Sequence, residues 1–175
     1  MWIFIFAELL VFGIFFLAYA FARAADPALF AKGQLHIDQA AGAVNTLLLI
    51  TSSYLVAQAV AAIKRDALRA CIRWLALAII VGLGFVVLKS IGFAQVFAQG
   101  ITLSTNTYYM FYLSLTGFHF MHVLMGLVVL GAVLHKAWRG GYSAAEHTGV
   151  ETGASYWHMV DLLWIILFAL VYVLH

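Results

Sequence analysis

Five long apolar runs dominate this chain, and the shorter stretches between them hold most of its charge. The runs cover residues about 2–22, 43–63, 71–93, 108–136 and 155–174. Each is continuous rather than alternating and reaches the roughly 20 apolar residues that carry a helix through a hydrocarbon core. A transmembrane strand would instead alternate apolar and polar positions over about 10 residues. The expected fold is therefore all-α: one membrane domain over 1–175, an integral bundle of five transmembrane helices. The sequence contains no internal repeat, low-complexity tract or second domain.

Composition sharpens this picture. Of 175 residues, 66% are hydrophobic and 9% charged, with a mean hydropathy of +1.04. A soluble domain carries roughly 25% charge, so these side chains cannot cover a water-facing surface and lipid must act as solvent. The net charge of +2 gives no basic surface for nucleic acid, which is excluded as an expected partner. A single cysteine, Cys71, rules out an internal disulfide and a cysteine-based metal site. The apolar start lacks the basic flank of a cleavable signal peptide and is too long for its apolar segment.

The connections carry the topological signal. The first, 23–42, holds Arg23, Asp26, Pro27, Lys32, His36 and Asp38. The second is short and basic, with Lys64, Arg65, Asp66, Arg69 and Arg73. The third, 94–107, is uncharged and is expected to lie against the interface. The fourth, 137–154, is glycine-rich and carries Arg139, Glu146, His147 and Glu151, the last two read as solvated loop groups. Lys64, Arg65, Arg69, Arg73, Lys136 and Arg139 fall on one side; Arg23 and Lys32, with Lys89 near the end of the third span, fall on the other. The richer side should be cytoplasmic, which puts the N-terminus inside and the C-terminus outside. Lys89 is expected to snorkel outward. Trp2, Trp74, Trp138, Trp157 and Trp164 are expected mostly near the interfaces as an aromatic belt.

Polar residues inside the spans are the candidates for chemistry, because an ionisable group in hydrocarbon costs about 2.5–3.5 kcal/mol on insertion scales. Glu8 lies about two turns into the first span. His158 and Asp161 are three apart and share one helix face, as do His119 and His122. Glu8, His158 and Asp161 can sit at similar depth toward the cytoplasmic side, where a carboxylate–imidazole pair is expected. Asn45, Thr46, Thr51, Ser52 and Ser53 supply the second span with groups for interhelical bonds, and Asn45 is expected to form an intramembrane polar cluster with His119 and His122. The set reads either as proton handling or headgroup binding, or as polar fastening of the bundle. Two histidines three apart do not close a metal site without further ligands, so no metal is expected.

At these residues the sequence resembles subunit III of the haem-copper oxidases. The first run, Trp2-Ile3-Phe4-Ile5-Phe6-Ala7-Glu8-Leu9-Leu10-Val11-Phe12, is similar to W-x-F-x-x-S-E-x-x-F-F. Asn45-Thr46 through Ser52-Ser53 resembles N-T-x-x-L-L-x-S-S, and Thr116-Gly117-Phe118-His119 through His122-Val123 resembles T-G-F-H-x-x-H-V. Glu151, Tyr156-Trp157-His158-Met159-Val160-Asp161 and Trp164 resemble E-x(5)-Y/W-W-H-x-V-D-x-x-W. The third run departs from G-x-x-F-x-x-x-Q-x-x-E-Y: Lys89 stands at the Gln position and Gly92 at the Glu position. The first two helices of the seven-helix form are missing.

The resemblance implies a non-catalytic accessory subunit of a bacterial respiratory complex in the inner membrane. Its partners would be a catalytic, haem-containing subunit I-like protein and phospholipids. It would carry no haem or copper of its own and would support proton uptake or assembly. Glu8 maps to the family's membrane carboxylate, and Trp157, His158 and Asp161 to its Trp-His-x-x-Asp group. The compact form most resembles the nitric-oxide-reductase-associated members, with an oxygen-reducing cytochrome c or quinol oxidase as the alternative. Two rivals remain: a small independent proton channel or transporter using Glu8, His158 and Asp161, and a haem- or quinone-binding protein using His119 and His122.

Overall fold

The computed structural model describes residues 2–35 and 37–173. Six α-helices follow in order: α1 Trp2–Ala25, α2 Pro27–Leu35, α3 Gln39–Lys64, α4 Leu68–Ala98, α5 Thr107–Trp138 and α6 Thr148–Phe168, the last running into a π-helical turn at Ala169–Val173. Five are long and apolar enough to cross a membrane: α1, α3, α4, α5 and α6 with its π turn. This is the expected multi-pass bundle. The predicted end of the fifth span at 174, like His36 of the first connection, lies outside the described residues.

The helices are longer than the apolar runs. At 31 residues α4 measures about 46 Å, against about 30 Å of hydrocarbon. Helical hydrogen bonding continues into the headgroup zone because it satisfies the backbone there as well. The third connection, expected over 94–107, therefore shrinks to 99–106. The first is also not a plain loop, since Pro27 opens a nine-residue helix. Pro27 suits a first helical position, where no N–H is needed, and Asp26 Oδ1 accepts from Leu29 N at 3.1 Å. Asp38 caps α3 through Ala41 N at 3.0 Å, and Asn106 caps α5 through Tyr109 N at 2.9 Å.

A tight turn joins α3 to α4. Asp66 adopts φ 59° there, a left-handed conformation that Asp tolerates better than most residues. Its carboxylate accepts from Ala144 N at 2.9 Å, tying the α5–α6 connection to this turn. On the same side Lys64 pairs with Glu151 at 2.8 Å, and His147 lies 3.5 Å from the same carboxylate oxygen. Glu151 and His147 thus join α3 to α6 instead of standing free in a loop.

Helix α6 lies at the centre and α1 at the margin. Trp157 and Trp164 of α6 are fully buried, which corrects their expected place in an interfacial belt. Glycines open the space for Trp157: a Cβ on Gly126 would come within 2.8 Å of its ring, and one on Gly82 within 3.1 Å. Phe85 meets Trp164 edge-on. Trp2 and Trp138, by contrast, are exposed. On α1 only Ile5, Phe12 and Tyr19 are buried, a narrow stripe with one residue every seven. The rest of α1, including Phe6, Leu10, Ile14, Leu17 and Phe21, faces outward. An apolar outward face is stable only against lipid or another membrane protein.

The π turn leaves the end of the fifth span short of backbone donors, as every helix end is. Side-chain amides from the C-terminal end of α2 and the N-terminal end of α3 supply two of them. Gln34 Nε2 donates to Val171 O at 3.1 Å, and Gln39 Nε2 donates to Tyr172 O at 2.9 Å.

Candidate functional site

Glu8 does not join His158 and Asp161, as their expected depths suggested. It pairs with His122 of α5, Oε2 to Nε2, at 3.0 Å. A helix face is set by rotation as well as depth, and α1 turns Glu8 toward α5. The other ring nitrogen of His122, Nδ1, lies 2.7 Å from the Phe118 carbonyl. A carbonyl only accepts, so Nδ1 carries a hydrogen. Nε2 and the Glu8 oxygen therefore share one proton: a neutral imidazole accepts it from a carboxylic acid, or an imidazolium donates it to a carboxylate. Either form is neutral overall, which suits a pair inside hydrocarbon. Phe12 and Phe118 flank the imidazole. Tyr156 Oη bonds the His122 carbonyl at 3.4 Å.

His119, one turn away, is fully buried and bonds the Val160 carbonyl through Nε2 at 3.0 Å. By the same reasoning its proton is on Nε2, and Nδ1 has no partner among the described residues. The ring is wedged between Phe85 and Trp164. His119 thus fastens α5 to α6.

His158 bonds Ser53 of α3, Nδ1 to Oγ, at 2.5 Å. Asp161, three residues further along α6, lies close to this pair, and its Oδ1 has no hydrogen-bond partner among the described residues. The His158–Ser53 bond ties α6 to α3, with Asp161 beside it. His158 itself is exposed on the outer surface of the bundle and Asp161 is half-buried. A groove of about 340 Å³ runs beside His158, walled by Ala57, Val60, Ala154 and Ser155, with Glu151 at its end. Trp157, the neighbour of His158 in the motif, points inward instead, and its Nε1 has no partner among the described residues.

Asn45 stands apart from His119 and His122. It lines a cavity at the opposite ends of the helices, beside Lys89. Lys89 corrects the snorkelling expectation: it is 3% exposed, and its ammonium donates to Tyr172 Oη at 2.9 Å and Tyr112 Oη at 3.4 Å. The rings of Phe93, Tyr112, Trp164 and Tyr172 surround it, with centroids 4.8 to 5.6 Å away. Phenol oxygens and ring faces hold the cation inside, so it has no need to extend to water. Sequence reasoning missed Tyr112, Tyr172 and the central place of Ser53. The two tyrosines lie 60 positions apart, and no local pattern brings them together. No group of three or more metal-ligating side chains converges among the described residues.

Comparison with known proteins identifies the family of the chain. The sequence profile described as cytochrome c oxidase subunit III matches residues 1–175. A cytochrome c oxidase subunit 3 from Thermostichus vulcanus is 35% identical over 98% of this chain and 84% of its own length. One from Synechocystis sp. is 34% identical over 98% of this chain and 73% of its own. A third, from Corynebacterium diphtheriae, is 30% identical over 81% of this chain and 69% of its own. With its five spanning helices and a match that runs from end to end, the chain belongs to the cytochrome c oxidase subunit III family.

Proposed function

We propose that this chain is a non-catalytic accessory subunit of a bacterial haem-copper oxidoreductase, seated beside a catalytic haem-containing subunit in the inner membrane. The observation that carries the reading is the Glu8–His122 pair, within a chain whose family match spans its whole length. The pair holds one proton at a helix, α1, that presents most of its surface outward. The proton can move between Glu8 and His122 without leaving net charge in hydrocarbon, and handing it to a neighbour leaves the pair an anion until a second proton replaces it. The His158–Ser53 pair and the groove beside it provide a second polar edge, suited to a phospholipid headgroup. The basic second and fourth connections support a cytoplasmic N-terminus and a periplasmic C-terminus.

The finer assignment rests on two opposed observations. The compact five-span form supports the nitric-oxide-reductase-associated type. The names of the matched relatives support an oxygen-reducing oxidase. Purification from native membranes in mild detergent separates the two, since the largest co-purifying subunit and the acceptor it reduces identify the complex. The Glu8→Gln variant, purified in the same complex, should assemble normally and lose activity faster during sustained turnover. A chain that purifies without any haem-bearing companion, or that shows a haem band of its own, overturns the proposal.

A further inference from the structure

Lys89 is a buried cation whose surroundings do not neutralise it. No carboxylate lies within 4.0 Å of its ammonium among the described residues, whereas Lys64 has such a partner. Ring faces stabilise a cation but accept no conventional hydrogen bond. The hydrogens can be counted. In its protonated form the Lys89 ammonium has three and each of the two phenols has one. The ammonium donates to both phenol oxygens, and one phenol donates to the other at 3.3 Å. One N–H of Lys89 and one phenolic O–H therefore remain without an acceptor. All three residues line a cavity of about 240 Å³ between the outer ends of α3, α4 and α5 and the π turn.

The cavity is built for a polar guest. Gln95, Gln99 and Asn45 also line it, and the buried Asn45 Oδ1 has no hydrogen-bond partner among the described residues. Gly92 lines it, and a Cβ there would meet no atom within 4 Å, so the space beside Gly92 is open. The π turn places the Tyr172 hydroxyl beside the ammonium. Asp38, exposed and held in its cap on α3, stands on the wall as the acidic group. Lys89 lies six residues beyond the midpoint of α4, about 9 Å along the helix. With a hydrocarbon half-thickness of about 15 Å, the Lys89 backbone lies about 6 Å inside the hydrocarbon edge, so a phosphate must enter the cavity to meet the ammonium.

We infer that this cavity is a phosphate-binding site in which Lys89, Tyr112 and Tyr172 hold the phosphate, supplied by an outer-leaflet phospholipid headgroup or as the free ion. Two hydrogens without acceptors meet oxygens that have lone pairs to spare, and the negative charge balances the ammonium. In a phosphatidylethanolamine headgroup the amine would be free to turn toward Asp38. The site lies at the opposite end of α3 and α6 from the His158 groove and does not depend on which catalytic subunit is the partner.

The test uses the full chain, purified in a neutral detergent and stripped of loosely held lipid. Phospholipid per chain is read by native mass spectrometry for the unaltered protein, Lys89→Gln, Lys89→Arg and Gly92→Leu. The unaltered protein and Lys89→Arg should each retain one phospholipid that Lys89→Gln loses. Added dihexanoyl phosphatidylethanolamine should bind Lys89→Gln about tenfold more weakly or worse, as expected for loss of a charged hydrogen bond. Gly92→Leu fills the cavity without altering Lys89 and should lose the same lipid, which keeps the test decisive should Lys89→Gln misfold. If inorganic phosphate raises the melting temperature of the unaltered protein but not of Lys89→Gln, while neither retains lipid, the guest is the free ion. Equal lipid retention in the unaltered protein and Gly92→Leu, with no phosphate effect on melting, overturns the inference and leaves Lys89 a purely structural cation.

Discussion

Removing the Glu8 side chain separates the roles of the Glu8–His122 pair. In Glu8→Ala, His122 keeps its bond to Phe118 O at 2.7 Å but loses the partner of Nε2. The His122 side chain is 8% exposed, so water does not readily replace the carboxyl. Leaving such a group unsatisfied costs about 1–3 kcal/mol. The loss falls on α1, which otherwise buries only the stripe of Ile5, Phe12 and Tyr19 against the bundle. Glu8→Gln differs in kind. Its amide N–H can donate to Nε2, so the bond survives and the cost should stay below about 1 kcal/mol. What it loses is the shared proton, since an amide cannot exchange one with the imidazole. The assay is reversible unfolding in mixed micelles of the unaltered protein, both Glu8 variants, His122→Ala and the Glu8→Ala/His122→Ala double variant. The cycle should return a coupling of about 1–3 kcal/mol. Infrared spectra should also show a carboxyl signal from Glu8, as C=O or as carboxylate, that is absent from Glu8→Gln. Equal destabilisation by Glu8→Gln and Glu8→Ala, or a coupling indistinguishable from zero, would refute the shared-proton reading.

Three other perturbations probe the fold. Gly126→Ala should destabilise by about 1–2 kcal/mol despite its better helix propensity, because the new Cβ would approach the Trp157 ring to 2.8 Å; thermal unfolding with tryptophan fluorescence measures it, and Gly82→Ala, at 3.1 Å, should cost less. Asp66→Ala and Asp66→Gly both lose the bond to Ala144, but only alanine resists the φ of 59°. The glycine variant should therefore be about 1 kcal/mol the more stable, as denaturant midpoints will show. The orientation predicts that Thr102→Cys reacts with a membrane-impermeant maleimide in spheroplasts, whereas Arg65→Cys reacts only after permeabilisation; the opposite pattern would invert the topology.

The bundle itself was legible in the chain. Lipid leaves a spanning segment little choice but to satisfy its own backbone, so an apolar run of sufficient length commits to a helix before any neighbour is known. The family's Glu8, His119, His122, Trp157, His158 and Asp161 were legible too, because each is a polar or bulky group in a fixed local motif. Span ends were read short, since hydropathy marks the edge of the oil and helices continue beyond it.

Which polar groups meet was decided only by the packed structure. Depth along a helix follows from counting residues, but partnership depends on rotation and on which helices are neighbours. For that reason Glu8 was expected beside His158 and instead meets His122, and Ser53 emerged as the partner of His158 across α3 and α6. Lys89 shows the same division most clearly. An isolated lysine near a span end is most stable reaching for water, and the sequence alone can say no more. Tyr112 and Tyr172, brought to it from α5 and the π turn, provide oxygens and ring faces that replace water and hold the charge inside.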